Sequence, residues 1–433
     1  MAPVIRMAHL VGPAAGTLNR RRWALGAGAA LASPWLAAQA PRPSSVKLAL
    51  IDPLSGPMAD VGRNAMRSWA FLVQRLQADP ALNPLGVQLH FAAFDNAGSP
   101  QASVNMLKAA IDQGFRYVLQ GNGSGVATAL IEAMGRHNRR YPNDPVLLIN
   151  YAAMDPALTN ERCSFWHFRV DADTTMKMRA LARFVARQSP WRRLYLVNQN
   201  YVHGQQASAH FKRALAEQAP QATVVGDELH QAFAGVDFRP YARRIAASGA
   251  QAIVSSNWGV DLNGLIEALH AEGVRLPLLS YYASLKGTPT LMADLGVQMP
   301  VYQAAVYHDR IGGALGRLFA EFQAQHGEDL VAVPAYDALV MLLRAMHAVQ
   351  STAVQAVAAR MSGMLFEGFN GPVQMRPVDH QLQKGVFVSR WVRHVPGQGR
   401  DAEGSGWQFV PVAYAPPDEL REPTRCVMNR PDY

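Results

Sequence analysis

Between residues 46 and 149 the apolar positions alternate between two rhythms. Val46 to Ile51 form an apolar run, after which Val61, Ala65, Met66, Trp69, Leu72, Val73 and Leu76 recur at the spacing of one helix face. An alternating segment over 87–91 predicts a half-buried strand. Helices follow over 100–113 and 124–138, with strands over 115–119 and 146–149. Strands that alternate with helices predict a parallel sheet covered on both faces. The rhythm restarts after Phe168, with strands over 193–197, 222–229, 250–255 and 276–282 and helices over 205–218, 238–248 and 262–272. Two βα series predict an α/β protein of two similar lobes. Past Met299, helices are expected over 314–325 and 334–349. Apolar residues in strand-like runs are too few there for a third sheet, so this segment is expected to complete the two lobes. From His394 onward glycine and proline rise and periodicity fades, which predicts a tail wrapped over the surface.

Composition fits that picture. Of 433 residues 49% are hydrophobic and 17% charged, against about 25% charged in an average domain, so a large core is available and global disorder is excluded. At this length a single core normally divides. The net charge of +9 includes four arginines within the first 40 residues, Arg6, Arg20, Arg21 and Arg22, and no acid. The remaining +5 has no dense basic run and excludes a nucleic-acid footprint.

Those first residues carry an address. Arg20-Arg21-Arg22-Trp23 opens a small or apolar stretch of about 14 residues to Leu36, and Ala38-Gln39-Ala40 supplies a small-x-small cleavage site. The stretch is too short for a membrane span of about 20 residues. Residues 1–40 therefore read as a signal peptide. Adjacent arginines before an aromatic residue resemble a twin-arginine signal, with an arginine-rich general secretory signal as the alternative. The mature chain is expected to begin near Pro41, outside the cytoplasm. Its two cysteines, Cys163 and Cys426, exclude a cysteine-based zinc or iron–sulfur site. In an oxidising compartment they either pair, tying the tail to the body, or remain two thiols.

Catalytic signatures are poor. Asn122-Gly123-Ser124-Gly125 is not a nucleophile elbow, no HExxH occurs, and the 13 histidines are scattered. The turn Gly121-x-Gly123-x-Gly125 follows a strand and opens a helix. It lacks the last glycine of a dinucleotide fingerprint, because position 126 is Val126, so its physics is that of an anion site of unspecified identity. Ser55-Gly56-Pro57 forms a second such turn and Asn150-Tyr151-Ala152-Ala153-Met154 a third. All three lie at C-terminal ends of predicted parallel strands, where open α/β sheets place their ligand crevice. The opposite wall is expected from the second series, at Asn200-Tyr201-Val202-His203, the turn 233–237, and Ser255-Ser256-Asn257-Trp258. Aromatic and amide side chains at strand ends suit a small organic ligand.

These residues together resemble the substrate-binding proteins of branched-chain amino acid ABC transporters, the Leu/Ile/Val-binding group of type I periplasmic binding proteins. The resemblance runs from about Val46 to Arg390. It rests on "PLSGPMADVG" (Pro53 to Gly62), "FDNAGSPQASV" (Phe94 to Val104), "AAMDPALT" (Ala152 to Thr159), "FWHFRV" (Phe165 to Val170), "HGQ" (His203 to Gln205), "VDF" (Val236 to Phe238) and "PAYDAL" (Pro334 to Leu339), in that order.

The resemblance implies two Rossmann-like lobes with parallel sheets, joined by a three-crossover hinge and closing on a ligand without chemistry. The lobes would comprise 46–166 plus 302–373 and 167–301 plus 374–433. A ligand carboxylate would meet Ser124 at the Gly123 turn and the backbone of Ala152 and Ala153, with Tyr151 alongside. Tyr201, His203, Asn257 and Trp258 would define the other end, and an acid near the "DF" turn would meet an ammonium. Only Asp237 is available there, and it either serves that role or caps the helix beginning near Phe238. Met154 stands where the family offers threonine, and His203 where it offers tyrosine. A ligand with a carboxylate or amide and no required ammonium is therefore open. The expected partners are a small molecule and the permease subunits of an ABC importer, with the receptor itself a monomer; no cofactor, metal or nucleic acid is expected. An exported cofactor-binding oxidoreductase and a ligand-sensing partner of a signalling protein are the alternatives.

Overall fold

The computed structural model describes residues 44–431; the expected signal peptide and its cleavage site lie outside the described residues. The first sheet is built from β1 (Ser45–Asp52), β2 (Gln88–Asp95), β3 (Tyr117–Gln120), β4 (Leu147–Asn150) and β5 (His167–Arg169), all parallel, in the order β2-β1-β3-β4-β5. Its period-2 pattern sends Val46, Leu48 and Leu50 to the face covered by α1 (Ala59–Gln77), where Trp69, Leu72 and Val73 are buried. Ile51, Val118 and Leu148 point to the other face, under α2 (Pro100–Asp112) and α3 (Ser124–Arg140). Capping sets where α2 begins. Ser99 accepts the amide of Ala102 and Pro100 occupies the first turn, where its missing N–H costs nothing.

After α4 (Thr174–Gln188) the second series builds a seven-stranded sheet. It contains β6 (Arg193–Gln199), β7 (Thr223–His230), β8 (Ala252–Val254), β9 (Leu278–Ser280) and β10 (Val301–Ala305), all parallel. The intervening helices are α5 (Val202–Gln218), α6 (Arg239–Ala247), α7 (Val260–Ala271) and α8 (Thr288–Asp294). Then α9 (Gly313–His326), α10 (Pro334–Val349) and α11 (Val354–Met361) return to the first sheet; Phe322 of α9 meets Phe71 of α1 edge to face at 5.4 Å.

The remainder departs from expectation. Residues 365–383 form a third, antiparallel sheet of β11 (Leu365–Gly368), β12 (Gly371–Met375) and β13 (Leu382–Gln383). Its strands are too short to show a period, yet Phe366, Val373 and Met375 are buried in the main core. The tail is also ordered. β14 (Val386–Arg393) and β15 (Trp407–Ala415) extend the second sheet antiparallel, in the order β15-β14-β10-β9-β8-β6-β7, and Trp391 stacks on Trp407 at 5.6 Å. The loop glycines between these strands masked the pairing in the sequence.

The chain crosses between the two large sheets three times, after β5, after β10 and between β13 and β14. Because β5 pairs with β4 and β10 with β9, the first two crossings fall a few residues later than 166 and 301. Arg169 stands where the first and third crossings meet, fully buried. Its guanidinium donates to the Asp155 carbonyl at 2.6 Å, to Asp173 Oδ2 at 2.9 Å, and to Gln381 and Thr159, while its own amide donates to His380 O at 2.9 Å.

Cys163 and Cys426 are disulfide-bonded. The bond fixes a C-terminal segment that starts beyond β15, places Glu419 and Glu422 against Arg183 and Arg179 of α4, and reaches Thr159 and Asn160 beside the first sheet. Replacing both cysteines by serine removes a cross-link over 263 residues of sequence separation, and is expected to lower the unfolding free energy by about 3 to 5 kcal/mol. Urea denaturation of parent and variant checks this; coincident curves would mean that the ion pairs alone hold the segment.

Candidate functional site

The C-terminal ends of the strands in the two large sheets converge on one cleft, with about 780 Å³ of space between protein atoms, part of it open to solvent. The first wall is Val61 and Ala65 of α1, the turn 121–124 after β3, and the turn 151–154 after β4. The second is Tyr201 and His203 after β6, Trp258 after β8, Tyr281, Tyr282 and Leu285 after β9, and Ala305 and Tyr307 after β10. Asp171 and Lys177 lie at the crossover, and Val331, Ala332 and Pro334 complete the lining.

Eight expected residues are thus brought together: Gly123, Ser124, Tyr151, Ala152, Ala153, Tyr201, His203 and Trp258. Two are not. Asp237 is exposed and accepts the Arg239 amide at 3.0 Å, so it holds the start of α6, the capping alternative, outside the lining. Asn257 is fully buried, outside the lining, with neither side-chain atom hydrogen-bonded.

The glycine turn proves to be an anion site filled by the chain itself. Asp52, at the end of β1, is fully buried, and its Oδ1 accepts the amides of Gly121 at 3.2 Å and Asn122 at 3.0 Å; Tyr151 donates its hydroxyl to Oδ2. Burial outweighs these bonds and raises the Asp52 carboxyl to about 6. Gly121 has no room for a side chain, since a Cβ would lie 2.4 Å from the Tyr151 ring, and Gly123 turns at φ +92 into α3. A second internal acceptor occupies the neighbouring turn. Asn150 Oδ1 takes the amides of Ala152 at 3.2 Å and Ala153 at 2.8 Å, the very donors expected for a ligand. What remains on this wall is the Ser124 hydroxyl, which accepts the Asp155 amide at 3.3 Å and keeps its proton to donate, and the first turn of α3.

The second wall is aromatic. Rings of Tyr201, His203, Tyr281 and Tyr282 approach within 5.7 Å of a neighbour, and Trp258 lies 6.2 Å from Tyr282. The Trp258 indole donates to Tyr201 Oη at 2.8 Å. Burial pushes His203 down to about 4, against the pull of the Ser256 carbonyl 3.2 Å from Nε2, so the ring is neutral and Nε2 carries the proton. Gly204 follows because β6 passes so close that a Cβ would meet the Gln199 carbonyl oxygen at 1.9 Å.

Asp171, Lys177 and the tyrosine pair were not among the expected residues. Lys177 Nζ bonds Asp171 Oδ2 at 3.0 Å and lies 5.5 and 5.9 Å from the ring centres of Tyr281 and Tyr282. Burial lowers the Lys177 pKa against the pull of Asp171. The tyrosines end a predicted strand, so the strand-end rule that found Trp258 applied to them as well. Across the cleft, Tyr282 donates its hydroxyl to Met154 Sδ at 3.2 Å, and Lys286 shares Glu328 with Arg67 of α1, its Nζ 2.6 Å from Oε2.

Comparison with known proteins agrees with this geometry. Residues 45–399 match the family model described as periplasmic binding protein. The chain belongs to that family. It is 26% identical over 400 residues, 89% of this chain and 93% of the relative, to Leu/Ile/Val-binding protein homolog 4 of Brucella abortus. The fold is similar to that of the leucine-, isoleucine-, valine-, threonine- and alanine-binding protein of Brucella ovis in its closed conformation, with TM-score 0.77, 23% identity, and coverage of 90% of this chain and 100% of that one. It is also similar to an ABC-transporter solute-binding protein of R. palustris in complex with 4-hydroxybenzoate, with TM-score 0.72, 18% identity, and coverage of 86% and 97%. This periplasmic binding protein therefore has the two-lobed type I fold, and its family works in the periplasm with ABC transporter components.

Burial in and around the cleft makes a pH prediction. His203 sits at about 4, and His167 and His380 are pushed to about 3, each chiefly by burial, whereas Asp52 and Asp329 are raised to about 6 by the same cause. The histidines favour the neutral fold, so their contribution is complete above pH 6.5 and lost on acidification towards pH 4. The two acids act oppositely, gaining as pH falls below 6. The histidine displacements are larger and more numerous. The unfolding temperature is therefore expected to fall between pH 6.5 and pH 4, and to fall less in His203→Gln. A thermal scan across that range checks both; a flat profile in the parent would contradict them.

Proposed function

We propose that the protein is the extracytoplasmic solute receptor of an ABC importer, exported by the twin-arginine route. It holds a small amino acid or a related carboxylate or amide in the cleft and closes by a hinge between the lobes 46–166 plus 302–373 and 167–301 plus 374–433. The sheet pairings move the first two crossings of that division a few residues later. The observation that carries the reading is the shared cleft. Both walls come from strand ends of different sheets, and among the described residues the chain passes between those sheets at three crossovers. A hinge of this kind converts ligand burial into a change of the outer surface that a permease senses. Relatives named for leucine, isoleucine and valine, and a neighbour holding 4-hydroxybenzoate, support a small carboxylate.

Ser124 anchors the anionic end in this reading, while Tyr201, His203 and Trp258 form the other. Asp52 argues against nucleotide chemistry, because a carboxylate already occupies the amides that a pyrophosphate would need.

Three measurements test the proposal. A thermal-shift panel of amino acids, amides and carboxylates on the chain from Pro41 is expected to show one class raising the unfolding temperature, with about 2.7 kcal/mol of stabilisation at a hundredfold excess over Kd. Small-angle scattering with that ligand is expected to show a smaller radius of gyration. In Ser124→Ala, affinity is expected to drop about tenfold, the loss of one hydrogen bond to a charged group, and stability by about 1 to 3 kcal/mol because the buried Asp155 amide loses its acceptor; equal affinity would remove Ser124 from the site.

A further inference from the structure

Taking the cleft as the ligand site, its charges and rings narrow what it accepts. Among the described residues lining it, Asp171 is the one acid and Lys177 the one aliphatic cation, and they are bonded to each other at 3.0 Å. Asp171 Oδ1 also accepts the Ala172 amide at 2.7 Å. A ligand ammonium placed on Asp171 would bring a second cation to a buried carboxylate that is already matched, a costly arrangement away from water. Asp237, the other acid considered for that task, is exposed outside the lining.

The donors left free on the first wall lie at Ser124. The first turn of α3 leaves amide donors without helical partners, the positive end of a helix of 17 residues, and the Ser124 hydroxyl stands beside them with a proton to donate. The turn that holds Ser124 through the Asp155 amide also carries Met154, whose thioether is the acceptor of the Tyr282 hydroxyl from the opposite wall. A thioether is a weak acceptor. A carboxylate at this place offers Tyr282 a strong one while also accepting from Ser124, so a single group would draw the two walls together.

The space beyond is lined by rings. The rings of His203, Tyr201, Tyr281, Tyr282 and Trp258 lie 4.7 to 6.2 Å apart, His203 and Tyr281 edge to face and the other pairs tilted, a cluster onto which a further aromatic group can pack. The opposing surface is aliphatic, from Val61, Ala65, Val331 and Ala332.

We propose that the cleft selects an aromatic monocarboxylate lacking an ammonium group, its carboxylate between Ser124 with the first turn of α3 and the Tyr282 hydroxyl, and its ring against Tyr201, His203 and Trp258. The inference rests on the receptor reading above, and the test separates the two.

Isothermal titration of the chain from Pro41 uses benzoate, 3-phenylpropanoate, L-phenylalanine, L-leucine and benzamide. Phenylpropanoate and phenylalanine differ only by the ammonium. The expected result is binding of benzoate or 3-phenylpropanoate, with L-phenylalanine and L-leucine weaker by at least about tenfold, the effect of one mismatched buried charge or hydrogen bond. Tighter binding of either amino acid, or of benzamide over benzoate, overturns the ligand class and leaves the receptor reading standing. No binding by any of the five overturns the ligand class, and a further blank across the thermal-shift panel would remove the receptor reading too. Tyr282→Phe keeps the ring and removes the hydroxyl. Its affinity for the best acid is expected to fall about tenfold at an unchanged unfolding temperature, and undiminished affinity overturns the bridging role.

Discussion

The architecture turns on a buried cation. Arg169 ends the last strand of the first sheet and has no exposed surface, so its charge must be matched inside the protein. Removing one partner of such a buried charge typically costs about 3 to 5 kcal/mol. Its partners come from two of the three crossings and from the loop after β4: the Asp155 carbonyl and Thr159 after β4, Asp173 at the start of α4, and Gln381 at the third crossing. Asp173 simultaneously caps α4 by accepting the Met176 amide at 2.9 Å. The residue that neutralises the hinge therefore also fixes the first helix of the second lobe. Gln381 repeats the pattern, donating to the Asp171 carbonyl at 2.8 Å, next to the cleft pair Asp171–Lys177.

From that junction the cleft follows with few further requirements. Parallel strands end on one side, so both sheets deliver their loops to the same crevice. The free backbone donors of those loops are then largely consumed from within, by Asp52 on the glycine turn and Asn150 on the next. Internal satisfaction keeps the loops rigid before any ligand arrives, and it leaves specificity to side chains: one hydroxyl on the first wall and a set of rings on the second.

Much of this was legible in the sequence, for identifiable reasons. The apolar alternation of β1 and the single apolar face of α1 named both elements, because one side of each meets the core. The strand-end rule located eight cleft residues. It failed where a pattern loses contrast. Residues of α4 from Thr174 to Met178 are all buried although Thr174, Thr175 and Lys177 are polar, so side-chain polarity misreports burial there and Lys177 passed unnoticed as a cleft residue. β5 is three residues long, too short to alternate, which hid Asp171 beside it. Asn150 and Asp52 were invisible for another reason: hydrogen bonds formed by strand-end side chains to neighbouring turns depend on tertiary register, and no local spacing encodes them.

The substitutions at Met154 and His203 acquire a joint meaning in this setting. A hydroxyl after the two alanines would offer a ligand a donor from the first wall; Met154 instead offers sulfur, and its bond with Tyr282 leaves that tyrosine as the donor from the second wall. A neutral, buried His203 bonded to the Ser256 carbonyl and 3.2 Å from Tyr281 Oη behaves as one more flat ring in the tyrosine cluster. The change at Met154 moves polar function away from the first wall, and His203 keeps a flat ring on the second. With the one acid of the described lining already matched by Lys177, the proposed pocket discriminates through ring shape and a ligand's single anionic end, and a zwitterion gains least from it.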